Sequence, residues 1–193
     1  MDNYIRVYDN AMDDEKCQHL IGMFETDTEH HEIQDNGNGA TLTQINLLHS
    51  ADTTWKDEVN NLSNIIGNYI HQYKKDCDIE DTQWPEKFGF EPPKIKRYMP
   101  GGQEFFPPHV DVNSYDTARR FLVAFIYLDD NESGKTVVTP KDGMFVSHCK
   151  RGSLLFFPPL WPWMHTGLPP IDTPKYIVGS YLHYIQCIKL HVI

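Results

Sequence analysis

No stretch of this 193-residue chain could cross a bilayer as a helix. Its best apolar run, Phe121 to Leu128, has eight residues, well under the ~20 a spanning helix needs. The first residues, Met1-Asp2-Asn3-Tyr4-Ile5-Arg6, lack the basic-then-apolar layout of a secretory signal. Cysteine is scarce: Cys17, Cys77, Cys149 and Cys187 are scattered with no C-x-x-C pair. That spacing offers no zinc ribbon and no dithiol redox motif, although it does not forbid a disulfide. Reduced thiols in a cytoplasmic protein, with no membrane partner, are the expectation. Basic residues are outnumbered, 17 against 27 acidic, for a net charge of −10. With no basic stripe, a nucleic-acid backbone is not an expected partner. The acidity would suit a basic protein, but solubility explains it equally well. Repeats and low-complexity tracts are absent too, so residues 1–193 read as one domain large enough to bury its own core.

What is present falls into two halves. Tyr4 to Tyr8 alternates weakly as a first strand. Asp13 or Asp14 can cap a helix whose apolar face carries Cys17, Leu20, Ile21 and Phe24. Residues 27–40 read as a polar Gly/Asn-rich loop. A longer helix is expected over about 53–75, with Trp55, Val59, Leu62, Ile66, Tyr69, Ile70 and Tyr73 in one stripe. Helical support thus occupies about 10–75. From about 94 to 186 the chain becomes short β segments broken by turns: 94–98, 108–112, 120–128, 136–139, 144–148, 153–157, 164–166 and 176–184. The expected fold is mostly β, a jelly roll or cupin-like double sheet buttressed by the N-terminal helices.

The chemistry-bearing cluster is His109, Asp111 and His165. In an extended strand, residues i and i+2 face the same way, so His109 and Asp111 can grip one ion while Val110 points away. Two imidazoles and a carboxylate on one face of an octahedral ion leave its other positions open, the habit of a non-haem Fe(II) site. The pair alone is weak evidence: with 10 His and 27 Asp+Glu, chance gives about 1.4 such H-x-[DE] pairs. A second, His30-His31-Glu32, adjoins the turn-formers Gln34 to Gly39 and reads as solvated loop.

Several segments in fixed order raise the specificity. They are Arg97-Tyr98 before Gly101-Gly102, His109-Val110-Asp111, Phe125-Ile126-Tyr127-Leu128-Asp129, and Lys150-Arg151-Gly152-Ser153-Leu154-Leu155-Phe156-Phe157. His165-Thr166-Gly167 and Lys175-Tyr176-Ile177-Val178 follow. Together, over roughly Lys96 to Tyr184, they resemble the catalytic core of Fe(II)/2-oxoglutarate-dependent oxygenases, in the prolyl 4-hydroxylase-like branch. The resemblance implies a double-stranded β-helix with His109, Asp111 and His165 as both iron ligands and catalytic residues. It implies Lys175 as the cation for the far carboxylate of 2-oxoglutarate, helped by Tyr127, with Tyr98 and Thr136 beside the cosubstrate. A lysine aimed into an apolar cleft needs an anion to offset its lost hydration. The proline-rich turn 166–174 is expected to bring His165 and Lys175 onto adjoining antiparallel strands.

The implied reaction is hydroxylation of a C–H bond with O2, releasing succinate and CO2, on a prolyl residue of a protein or peptide. Ascorbate is a further small molecule the resemblance implies. Asp111 favours hydroxylation, because related halogenases lack a carboxylate there. The sequence departs from the family at Ser133-Gly134-Lys135-Thr136, where Gly-Gly-Glu-Thr is usual. It departs at Thr173-Pro174, which lacks the usual glycine, and at Tyr181, where many relatives carry Trp. Tyr181, Trp161 and Trp163 are therefore the expected substrate wall, with simple packing the alternative for the two tryptophans. A hydroxylase of a free amino acid or another side chain, and a non-catalytic metal-binding jelly-roll module, remain open alternatives.

Overall fold

The structure, a computed structural model, describes residues 4–37, 40–48 and 54–185. Two antiparallel sheets face each other, and two helices cover the outer face of the larger one. The chain enters through β1 (Arg6–Tyr8) and α1 (Asp14–Thr26). β2 (Glu32–Asp35) and β3 (Thr41–Asn46) come next, then α2 (Lys56–Asp76) and β4 (Phe88–Phe90). The β core follows as β5 (Lys94–Tyr98), β6 (Phe106–His109), β7 (Arg120–Tyr127) and β8 (Asn131–Thr139). It closes with β9 (Phe145–Cys149), β10 (Leu154–Phe157), β11 (Met164–Gly167) and β12 (Lys175–Tyr184). The larger sheet runs β1-β10-β7-β12-β5-β3-β2, with β4 also paired to β12, and the smaller runs β6-β11-β8-β9. This is the double-stranded β-helix with helical support.

β7 shows why the sequence there is apolar without alternation. Leu122, Ala124 and Ile126 join the core under the helices, whereas Val123, Phe125 and Tyr127 join the core between the sheets. A central strand with both faces buried has no use for a polar one. The Asp13 side chain caps α1 by accepting from the Lys16 N–H at 2.7 Å. From α2, Leu62, Ile66 and Ile70 are buried against the sheet. Burying three such side chains stabilises by roughly 5–9 kcal/mol. That is comparable with the whole net stability of a domain, ~5–15 kcal/mol, so the helices are a structural requirement of the barrel.

The loop expected over 27–40 is instead partly ordered. A single 3-10 turn, Thr28–His30, leads into β2, which pairs with β3 at the sheet edge. β2 escapes a periodicity reading because it buries no face; Ile33 is 80% exposed. Nor is His30-His31-Glu32 solvated loop. His31 stacks on Phe24 at 4.5 Å and donates from Nε2 to the Phe24 carbonyl at 2.9 Å. His30 meets the Asp27 carboxylate at 2.7 Å. The short β4 was also hidden in the sequence. Cys17 and Cys149 are buried free thiols, and Cys187 lies outside the described residues.

Candidate functional site

His109 and His165 face each other across β6 and β11, where they are register partners, with ring centroids 4.2 Å apart. Asp111 does not sit on the strand, as an i, i+2 pairing with His109 requires. β6 ends at His109, and the chain bends so that the Asp111 and Val112 N–H groups donate to the Pro159 carbonyl at 3.1 and 3.2 Å. The preceding Pro107 and Pro108 cannot donate to a ladder, which helps to keep the strand short. The bend still delivers the carboxylate. Asp111 Oδ2 lies 3.2 Å from His165 Nε2, and Oδ1 lies 3.5 Å from His109 Nε2. One ligand atom from each of the three falls within 4.8 Å of the others.

Both rings are held in the orientation a metal needs. His109 Nδ1 donates to the Pro107 carbonyl at 2.8 Å and His165 Nδ1 to the Trp163 carbonyl at 3.2 Å. That leaves each Nε2 lone pair aimed at the cluster. His165 Nε2 and Asp111 Oδ2 are buried without a hydrogen bond, although His165 is only 2% exposed. Burial alone would raise the Asp111 pKa, but the two imidazoles set against its carboxylate, His109 and His165, hold it well below the ordinary carboxylate range. Tyr181 donates its hydroxyl to Asp111 Oδ1 at 2.8 Å. A divalent cation fits this donor set: two nitrogens and one carboxylate on one side, fewer than the four ligands that close a structural zinc site.

A narrow cavity opens from the cluster. Its wall includes Tyr98, Phe106, Phe125, Thr136, Lys175 and Tyr181. Lys175 is 2% exposed and has no ion-pair partner among the described residues. Its Nζ sits 5.0 Å from the Tyr98 ring centroid, and burial pushes its pKa down. His165 and Lys175 belong to facing sheets, not to adjoining strands. β6 and β8 occupy both edges of β11, and β7 and β5 occupy those of β12, so residues 168–174 cross between sheets.

One glycine makes room for the lysine. A Cβ on Gly134 would meet Lys175 Cδ at 2.9 Å, whereas one on Gly167 would stand in ordinary contact with Nζ at 3.5 Å. The unusual Ser133-Gly134-Lys135-Thr136 run is latched into place by Asn131. Its Oδ1 accepts from Gly134 N–H at 2.7 Å and its Nδ2 donates to the Thr173 carbonyl at 2.9 Å. The Tyr127 hydroxyl is buried beside the hydroxyls of Ser147 and Thr136. Tyr127 stands diagonally across from Lys175, through the Ile177–Tyr127 register pair.

The expected substrate wall is only partly assembled. Tyr181 lines the cavity, whereas Trp161 is 79% exposed and Trp163 packs on Tyr4 at 6.2 Å, so neither tryptophan lines it. Both tryptophans belong to a 3-10 turn, Trp161–Trp163, that immediately precedes β11. One lining residue went unnoticed in the sequence. Lys96 shares the inward face of β5 with Tyr98, and the i−2 alternation carried that signal. Burial pushes its pKa down to about 8, with Lys94, Arg120 and Lys175 adding repulsion against the pull of Asp111.

Comparison with known proteins agrees with this geometry. No curated protein sequence matches the chain. Solved structures do, at identities that establish the fold. The viral collagen prolyl hydroxylase of Paramecium bursaria Chlorella virus-1, as its 2OG complex, matches with TM-score 0.66 at 18% identity, over 95% of this chain and 97% of that one. A Trichoplax adhaerens prolyl hydroxylase in complex with a hypoxia inducible factor peptide fragment matches with TM-score 0.69 at 14% identity, over 94% and 84%. SnoN, a non-haem α-ketoglutarate-dependent epimerase of nogalamycin biosynthesis, matches with TM-score 0.68 at 11% identity, over 94% and 78%. The sequence profile of the 2OG-Fe(II) oxygenase superfamily matches residues 93–183, the segment that supplies His109, Asp111, His165 and Lys175. Over those residues the β core is similar to the 2OG-Fe(II) oxygenase superfamily, and its architecture is the fold those solved structures share.

Proposed function

We propose that the protein is a Fe(II)- and 2-oxoglutarate-dependent dioxygenase that hydroxylates a prolyl residue of a peptide or protein. The observation that carries this reading is one small cavity with a His-Asp-His cluster at one side and a buried, unpaired lysine at another. Fe(II) with 2-oxoglutarate and O2 supplies the oxidant that puts one oxygen atom into a C–H bond, while 2-oxoglutarate leaves as succinate and CO2. His109, Asp111 and His165 would hold the iron through Nε2, a carboxylate oxygen and Nε2.

The protein's own part is binding and orientation. The carbonyls of Pro107 and Trp163 fix the two rings, and Tyr181 steadies Asp111 Oδ1. Lys175 takes the far carboxylate, with the Tyr127 hydroxyl beside it. Tyr98 and Thr136 wall that end of the cavity and exclude water. Peptide as the substrate class is supported by the prolyl hydroxylases that share the fold, one of them in complex with a peptide. The epimerase among the neighbours shows that this fold also serves other chemistry.

The test supplies Fe(II), 2-oxoglutarate and a panel of proline-containing peptides, then follows succinate and peptide mass. Succinate together with a peptide heavier by one oxygen is expected. Succinate without any modified peptide would exclude the prolyl target and leave the oxygenase. No succinate under any condition would remove the enzyme.

A further inference from the structure

Beyond the metal cavity, the inner face of the larger sheet continues as an open groove lined by Gln34 from β2, Asn46 from β3, Lys94 and Lys96 from β5 and Gly179 from β12. Glu91, Arg119 and Arg120 form one wall, and Phe106, Asp111 and Tyr181 join the groove to the metal cavity. Lys96 lines both spaces.

The charge there runs opposite to that of the whole chain. Four cations, Lys94, Lys96, Arg119 and Arg120, face two carboxylates, Glu91 and Asp111. Asp111 is committed to the histidine cluster. Glu91 is taken by Arg120 in a two-bond fork, at 2.9 and 2.8 Å, with Arg119 at 3.8 Å. Arg120 is further fixed over the Tyr181 ring, 4.0 Å from its centroid. Lys94 and Lys96 have no ion-pair partner among the described residues. The Lys96 ammonium lies 5.3 Å from the Phe106 ring centroid. In a chain of net charge −10, two unpaired lysines on one strand face, leading straight into the reaction cavity, form a local anion site.

We propose that Lys96 and Lys94 bind a carboxylate of the substrate, carried by an acidic residue flanking the target residue of a peptide. This rests on the oxygenase reading for the identity of the cavity. It concerns a different anion from the cosubstrate, which meets the more deeply buried Lys175. The site favours a peptide over a free amino acid because the groove extends across four neighbouring strands, β12, β5, β3 and β2.

Fluorescence anisotropy of labelled, proline-centred peptides with flanking Glu, against counterparts with Gln, tests it without turnover. The acidic peptide is expected to bind about tenfold tighter at low salt, a charge-assisted contact, and added salt should narrow the gap. Lys96→Gln should erase the preference and Lys96→Arg should keep it. Equal binding of both peptides to the wild type, no binding of either, or a preference surviving in a Lys94→Gln/Lys96→Gln double variant would overturn the proposal. Displacement of the acidic peptide by a free amino acid would keep the anion site but reassign the carboxylate to that smaller source. A protein that binds acidic peptides yet makes no succinate fails the oxygenase reading alone.

Discussion

At the scale of single residues, the telling feature is how each metal-facing atom is aimed by a neighbour. Burial first, then the negative charge of Asp111, raises the Tyr181 pKa well above its usual value, so the phenol stays a donor. It occupies Oδ1 and leaves Oδ2 for the ion. Tyr181→Phe keeps the ring and the Arg120 stack but removes that donor. Mn(II) affinity, measured by titration, is expected to fall roughly 10–100-fold, the usual effect of losing a partner of a metal ligand. An unchanged affinity would mean the hydroxyl serves something else.

Lys175 gives a second test at this scale. Its folded pKa is lowered by burial, so the unfolded chain binds a proton more readily than the folded one. The resulting penalty is fully present below the folded pKa and fades as pH rises toward 10.5. Lys175→Met should therefore raise the melting temperature of the ligand-free protein near neutral pH, with the advantage shrinking in alkali. The same variant should need much more 2-oxoglutarate for turnover. A variant that melts lower at neutral pH and keeps its 2-oxoglutarate KM would remove the anchor.

At the scale of elements, short turns fix how the helical layer meets the sheets. Gly152, in the turn between β9 and β10, has φ +72 and accepts from the Met12 N–H at 3.0 Å. A Cβ there would come within 2.1 Å of the Met12 carbonyl oxygen, a backbone atom that cannot swing aside. Gly152→Ala combines a left-handed backbone with that clash, and should cost roughly 2–4 kcal/mol in urea unfolding. A loss below about 0.5 kcal/mol would show that the α1 approach can move.

At the scale of the whole molecule, the two sheets bring together groups far apart in the chain, and ligand binding should be felt globally. At about 100 times their Kd, Mn(II) with 2-oxoglutarate would add about 2.7 kcal/mol. For a chain of this size, ~2–4 °C per kcal/mol implies a rise of roughly 5–10 °C in Tm. Asp111→Ala should abolish the rise. If it does not, the ligands bind elsewhere.

Much of this was legible in the amino-acid order. The i, i+3, i+4 stripes of α1 and α2 and the runs of β7 and β10 follow from burial on one face or two, a local property. His109, Asp111 and His165 could be picked out as a set because their types and neighbours encode the chemistry. Other features came only with the tertiary structure. β2 buries neither face and so leaves no periodic trace, while Asp111 reaches the cluster through a bend tied to Pro159, a contact 48 positions away. His165 and Lys175 meet across the sheets because strand edges already paired cannot accept another strand. The cationic groove likewise depends on which faces of β2, β3, β5 and β12 the smaller sheet leaves open. Local order specifies which residues hide and which carry chemistry, whereas the distances between them are set by pairing and packing over the entire chain.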